Sequence, residues 1–162
     1  METLLYMESE DLPPKTARNC TQELKIIDSS IIKRNINGDL IPFRKSRKLW
    51  TRITCDDQKI PDVLTYELGD VINIGCIQRL WKKITPDATF KLKHPPCARS
   101  VLGHNKRGDI THNFDDKQEG TVPSNVEFIS YRPWLHIMIT KIETTYHEWD
   151  MTASWTLEGE EI

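Results

Sequence analysis

Trp149, Met151, Ala153, Trp155 and Leu157 alternate without a break with Asp150, Thr152, Ser154, Thr156 and Glu158. Side chains of a β-strand point to opposite faces with a period of two, so this stretch has one apolar face and one wet face. The pattern predicts a half-buried antiparallel strand near the C-terminus. Leu135, Ile137 and Ile139 alternate with His136, Met138 and Thr140, which predicts a preceding strand, and Thr144–Glu148 is placed to turn the chain between the two. Strands so close in sequence are expected to pair antiparallel. The Trp149/Trp155 face is then expected to supply much of the core, because aromatic side chains carry the largest burial per residue.

The first half of the chain also reads as β. Leu24–Ile27 and Ile31–Ile36 are rich in β-branched residues, and Asn37-Gly38 precedes Asp39–Phe43. An Asn-Gly pair between such runs is a strong hairpin signal, since both central positions of a type I′ turn need φ > 0. In Leu49–Cys55, Leu49, Thr51, Ile53 and Cys55 share one face and Trp50, Arg52 and Thr54 the other, before a turn over Asp56–Pro61. Val71–Trp81 carries two competing patterns. Val71, Ile74, Ile77, Trp81 and Ile84 have helical spacing, whereas Ile72, Ile74, Cys76, Gln78 and Leu80 fit a strand. Interior Gly75 and the β-branched density favour the strand.

Two regions lack this regularity. Residues 1–22 carry Pro13, Pro14 and several charges, and read as an extended N-terminal arm whose Leu4, Leu5 and Tyr6 could anchor in a partner. In residues 82–128, Pro86, Pro95, Pro96, Gly103, Gly108, Gly120 and Pro123 interrupt every candidate element. Phe90, Leu92, Val101, Leu102, Ile110 and Phe114 look too sparse for a core of their own, so the region reads as a long irregular insertion that reaches a ligand or a neighbouring subunit. The expected architecture is all-β: an arm over 1–22, then one domain over 23–162, an antiparallel β-sandwich or barrel with the insertion 82–128. Its expected core is Trp50, Ile53, Ile74, Trp81, Leu135, Ile137, Trp149, Met151, Trp155 and Leu157.

A chain of 162 residues is long enough to bury about 70% of its unfolded surface in one domain. Its net charge of −2 argues against a general nucleic-acid binder. Charge is uneven, however: Arg44, Lys45, Arg47 and Lys48 form a basic run, and Glu158, Glu160 and Glu161 make the end acidic. These are either solvated surface or an acidic tail of one copy meeting a basic loop of the next. The basic run also has the chemistry to touch phosphates. Cys20, Cys55, Cys76 and Cys97 are widely spaced with no CxxC pair, which gives no zinc pattern. With no signal-peptide pattern at Met1–Tyr6 and no apolar run of about 20 residues, the chain is expected in a reducing cytoplasm with its cysteines as thiols.

His94, Cys97, His104 and His112 fall close together beside Asn105, Asp109, Asn113, Asp115 and Asp116. A metal site or a metal-dependent hydrolase would need two or three imidazoles to converge, but the spacing matches no zinc motif. Asp56/Asp57 and Asp115/Asp116 read as turn formers rather than acid–base pairs. No G-x-S-x-G, P-loop or G-x-G-x-x-G is present, so phosphate- and acyl-transfer templates have nothing to attach to. The tripeptide Arg107-Gly108-Asp109 arises by chance too often to carry a function, and the sequon Asn19-Cys20-Thr21 is irrelevant without secretion. The expectation is a chain that is not an enzyme, with no catalytic residue, metal or cofactor.

Several phrases taken together are similar to a known group. They are Ile36-Asn37-Gly38-Asp39-Leu40, Trp50-Thr51-Arg52-Ile53-Thr54-Cys55-Asp56-Asp57-Gln58, and Gly69-Asp70-Val71-Ile72-Asn73-Ile74-Gly75-Cys76-Ile77. Tyr131-Arg132-Pro133-Trp134-Leu135 and the stretch from Glu148-Trp149 to Trp155-Thr156-Leu157-Glu158 complete the set. They resemble small virion-structure proteins of tailed bacteriophages. The resemblance covers residues 24–81 and 129–162, not 82–128, and Asp62-Val63-Leu64-Thr65 departs from the proline- and tryptophan-rich turn expected there. It implies a tail, neck or head-surface subunit, assembled in the host cytoplasm and carried in the virion. The implied partners are other virion proteins and copies of itself. From the lack of a long apolar run no membrane is expected, and from the net charge nucleic acid is an unexpected partner. The alternative is a carbohydrate- or receptor-binding β module in which Trp134 or Trp81 lines a site.

Overall fold

The computed structural model of the chain describes residues 3–8, 10–27, 31–43 and 47–162, and of residues 10, 11, 31, 32, 42, 43 and 64 the backbone only. It is all-β and antiparallel, with one short 3-10 turn at Asp62–Thr65. The strands are β1 (Tyr6–Met7), β2 (Glu10–Asp11), β3 (Asn19–Ile27), β4 (Ile31–Arg34), β5 (Leu40–Phe43), β6 (Lys48–Asp57) and β7 (Val71–Gly75). They continue with β8 (Leu80–Lys83), β9 (Thr89–Lys91), β10 (Val101–His104), β11 (Ile110–Asp115) and β12 (Glu119–Thr121). The last three are β13 (Phe128–Tyr131), β14 (Trp134–His147) and β15 (Thr152–Glu161). A seven-stranded sheet in the order β2-β1-β7-β14-β15-β6-β3 curls into a half-barrel, and a four-stranded sheet runs β11-β10-β13-β8. Two ribbons, β12-β9 and β4-β5, complete the fold.

The large sheet follows the alternation in the sequence. Along β6, Leu49, Thr51, Ile53, Cys55 and Asp57 are buried, and they face Trp155 and Leu157 of β15. Trp155 fixes the centre: it is 1% exposed, and its indole N–H donates to the Thr16 carbonyl at 2.8 Å. Leu135, Ile137 and Ile139 point inward from β14 until a bulge between Ile139 and Lys141 changes the phase, so that Ile142 packs against the same core.

The hairpin turns later than expected. β14 continues through His147, Glu148–Met151 form the turn, and Met151 takes φ 49°. Trp149 and Met151 therefore leave the core face and stand 99% and 70% exposed. Of the other expected core tryptophans, Trp81 is 57% exposed, and Trp50 lies half-buried on the outer face of β6 beneath the Lys25 ammonium, 4.9 Å from its ring. Ile53, Ile74, Leu135, Ile137, Trp155 and Leu157 are buried.

The Val71–Trp81 stretch is extended but broken. Ile72, Ile74 and Cys76 are buried, after which the chain leaves the first sheet and re-enters the second as β8. The run β13–β14 makes the same crossing beside it at Pro133, whose carbonyl accepts from Cys76 N–H at 2.9 Å. Proline has no N–H to give a ladder, which suits the point where pairing changes partner.

Three regions depart from the sequence reading. The first is residues 3–8 and 10–22, which pack on the body instead of extending from it. Leu5, Met7 and Ala17 are buried, and β1 pairs with β7. Arg132 donates to the Leu4 carbonyl at 2.7 Å, and Arg18 holds Asp57 in a forked pair with contacts from 2.6 to 3.1 Å. Second, residues 82–128 contain β9–β12 and build a second core with β13: Phe90, Leu92, Val101, Phe114, Val122, Val126, Ile129 and Tyr131. Third, Cys20 and Cys55 are opposite partners in the β3–β6 ladder and form a disulfide, leaving only buried Cys76 and Cys97 as thiols.

The Asn-Gly hairpin is present, with a different turn. Only Gly38 has positive φ, 84°, and the Asn35 side-chain oxygen accepts from Asn37 and Asp39 N–H, both at 2.9 Å. Asn105-Lys106-Arg107-Gly108-Asp109 repeats the arrangement, with Gly108 at φ 90° and the Asn105 oxygen accepting from Arg107 and Asp109. The shared N-x-x-G-D pattern supplies an Asx cap and a left-handed glycine, and it gives Arg107-Gly108-Asp109 a structural reason to exist.

Candidate functional site

The histidines do not converge. His94 shares a hydrogen bond with Glu161 at 2.9 Å. His104 bonds Ser130 Oγ at 2.7 Å and the Gly108 carbonyl at 3.1 Å, and His112 packs edge-on to Phe114. Among the described residues no group of three or more His, Cys, Asp and Glu side chains is placed to hold a metal.

An open groove of about 790 Å³ lies between the edges of the two sheets. β3 is the last strand of the large sheet and β8 the last of the small one. Leu24 and Ile26 face the groove from the first edge, and Leu80, Trp81 and Lys82 from the second. Leu49, Leu92 and Tyr131 lie beneath. The exposed positions Ile26, at 59%, and Trp81, at 57%, give it an apolar wall that a folded monomer leaves wet. Trp81 rests against the His104 ring, 4.4 Å between centroids, which holds it on the rim.

The rim is cationic. Arg47, Lys82, Lys91 and Lys93 border the groove. Lys82 Nζ donates to the Lys91 carbonyl at 2.8 Å, and Lys93 Nζ to the Arg47 carbonyl at 2.6 Å. Two carboxylates meet this border: Glu119 lies 3.9 Å from Lys91, both side chains exposed, and Glu161 sits deeper. Glu161 accepts from Leu49 N–H at 2.9 Å, bonds His94, and lies 3.8 Å from Lys93. Burial pushes the Tyr131 hydroxyl above its ordinary pKa, and the Glu161 charge adds to this, while the bond from the His94 backbone opposes it. Such a floor presents neutral, apolar chemistry beneath a positive border.

A further exposed apolar feature is the β14–β15 hairpin end. Trp149 and Met151 cap it, Tyr146 stands 56% exposed beside them, and Glu148 and Asp150 separate the apolar side chains. It lies at the Asp57 end of β6, since Ala153 pairs with Asp57, whereas the groove lies at the Lys48 end, where Ile27 pairs with Lys48.

The expected contact residues are distributed differently. Leu5 is buried, Leu4 is exposed, and Tyr6 is half-buried against Trp134 at 5.8 Å. Arg44 and Lys45 lie outside the described residues; Arg47 borders the groove, and Lys48 opens β6. The acidic end is strand β15: Glu158 pairs with Arg52 at 3.4 Å and Glu161 with Lys93 and His94, leaving Glu160 exposed. Among the described residues the acidic end meets Arg52, Lys93, His94 and the Leu49 N–H, and Lys93 in turn donates to the Arg47 carbonyl. Leu24 and Ile26 read as part of a strand but not as a groove wall, because apolar residues on separate sheet edges, here β3 and β8, share no period.

In comparison with known proteins, no family model, curated protein or solved structure matches this chain. The fold and these two surfaces therefore define its class: an all-β protein with an apolar, cation-rimmed groove and an exposed aromatic hairpin end.

Proposed function

We propose that this chain is an assembly subunit, a structural component of a tailed-bacteriophage particle in the tail, neck or head surface. It works through protein–protein contacts with copies of itself and with other virion proteins. The observation that carries the reading is the hairpin end, where Trp149, Met151 and Tyr146 are held in water by two long paired strands. Large apolar side chains grouped on a rigid projection mark an interaction surface. The phage assignment itself is supported by the sequence resemblance over 24–81 and 129–162. Light scattering of the purified protein with negative-stain imaging tests the reading. Closed rings or larger multi-copy particles are expected, and a monomer that also fails to join particles of the phage would overturn it.

One observation favours a second reading, a carbohydrate-binding module. Trp81 is an exposed ring in an open groove beside Gln78, Lys91 and Lys93, a setting in which a sugar face could stack. Tryptophan fluorescence titrated with oligosaccharides separates the two. A saturable change abolished by Trp81→Ala supports the module, and no change removes it.

A further inference from the structure

The groove and the hairpin end, two of the exposed apolar surfaces, are complementary in shape and charge. The hairpin end is convex, with Trp149 and Met151 at its tip and the carboxylates Glu148 and Asp150 between and beside them. The groove is concave, with Leu24, Ile26 and Trp81 on its walls and Arg47, Lys82 and Lys91 around it. Neither surface can satisfy the other within one molecule. They sit at opposite ends of the same strands, and Leu49 to Asp57 of β6 spans about 27 Å at an ordinary strand rise.

We propose that the Glu148–Met151 hairpin end of one copy docks into the groove between β3 and β8 of a second copy. The proposal rests on the assembly reading above and names its contact. A knob at one end and a socket at the other make the interface heterologous: each copy offers one of each. Such contacts close into rings if the rotation allows and otherwise propagate as filaments. Trp149 is the anchor, because aromatic side chains in desolvated pockets dominate interface energetics. Asp150 and Glu148 set the orientation against the lysine and arginine border, so association weakens as salt rises.

The test uses two single variants of the full chain and their mixture. Trp149→Ser removes the knob, and Ile26→Glu places a negative charge in the socket. Both positions are exposed, so circular dichroism should match the unmodified protein, as should thermal melting in high salt where all three are monomeric. Mass is then read by light scattering across a dilution series reaching about 1 mM. The unmodified protein should form oligomers, and each variant alone should be monomeric, with affinity reduced about thirtyfold or more. The mixture should give dimers and nothing longer, since the serine variant keeps its socket and the glutamate variant its knob. Oligomers that persist in both variants would overturn this contact and leave the assembly reading standing. So would loss in Ile26→Glu alone, because another segment would then occupy the groove. An unmodified protein that stays monomeric throughout would overturn both the contact and self-assembly.

Discussion

Trp155 and Trp149 lie on one uninterrupted alternation, yet the fold treats them oppositely, and replacing each separates the two accounts. Trp155→Phe keeps a ring in the core but loses roughly 40 Å² of apolar surface, about 1 kcal/mol at 25 cal/mol per Å². It also removes the N–H that donates to the Thr16 carbonyl at 2.8 Å, for about another 1 kcal/mol net. The sum of about 2 kcal/mol corresponds to a fall in Tm of roughly 4–8 °C for a domain of this size. Trp149 is 99% exposed, so Trp149→Phe or Trp149→Ser should stay within about 0.5 kcal/mol of the unmodified protein. Paired urea and thermal melts of the monomeric protein in high salt give both numbers. Equal losses at the two positions would refute the placement of the turn at Glu148–Met151 and restore Trp149 to the core.

Three further outcomes follow from other parts of the fold. The Arg18 fork holds the Asp57 carboxyl down from 3.8 to about 2, so its stabilisation is complete above about pH 4 and is lost as pH falls toward 2. The stability gap between the unmodified protein and Asp57→Asn should therefore shrink across that window. It should be below about 2 kcal/mol at pH 7, because Arg18 is 45% exposed and water screens the pair; denaturation at several pH values reads it. Breaking the Cys20–Cys55 link, which closes a loop with a sequence separation of 35, should destabilise by about 3–4 kcal/mol on a chain-entropy basis. Thiol titration in denaturant should find two reactive groups before reduction and four after. A Cβ at Gly159 would come within 2.6 Å of Ile137 Cδ1 and 2.9 Å of the Met138 carbonyl. Since the carbonyl cannot swing away, Gly159→Ala should cost about 1–3 kcal/mol, read from the urea midpoint.

Where a strand keeps one phase along its length, the sequence could be read directly. Leu49–Cys55 has the burial its alternation implies, and so do Ala153, Trp155 and Leu157, although Thr156 on the expected wet face is also buried. Alternation does not mark where a hairpin turns, however. Trp149 and Met151 fit the period but fall in the turn, and the bulge after Ile139 hides the second half of β14 by shifting its phase. The second core was invisible for another reason. β9, β10 and β12 are three or four residues long, and each of β9, β11 and β12 offers at most one fully buried apolar side chain to it. Phe90, Phe114 and Ile129 become a core only once the strands assemble. The disulfide belongs to register, since Cys20 and Cys55 meet only because β3 pairs with β6 at that alignment. Of the site, the basic run points to Arg47, the pattern puts Trp149 in the core, and Trp81 reads as core or, in the alternative, as a residue lining a binding site. Their exposure, which makes them contact residues in this account, depends on a sheet edge and a turn that no local pattern encodes.

Photo-crosslinking from position 149 tests the account most directly. With a benzophenone amino acid in place of Trp149, irradiation of the assembled protein and peptide mapping reveal what the hairpin end touches. The account predicts intermolecular cross-links to peptides containing Ile26, Trp81 or Lys91 of another copy, weakened by salt. Cross-links confined to other surfaces, or none in an assembled sample, would contradict it.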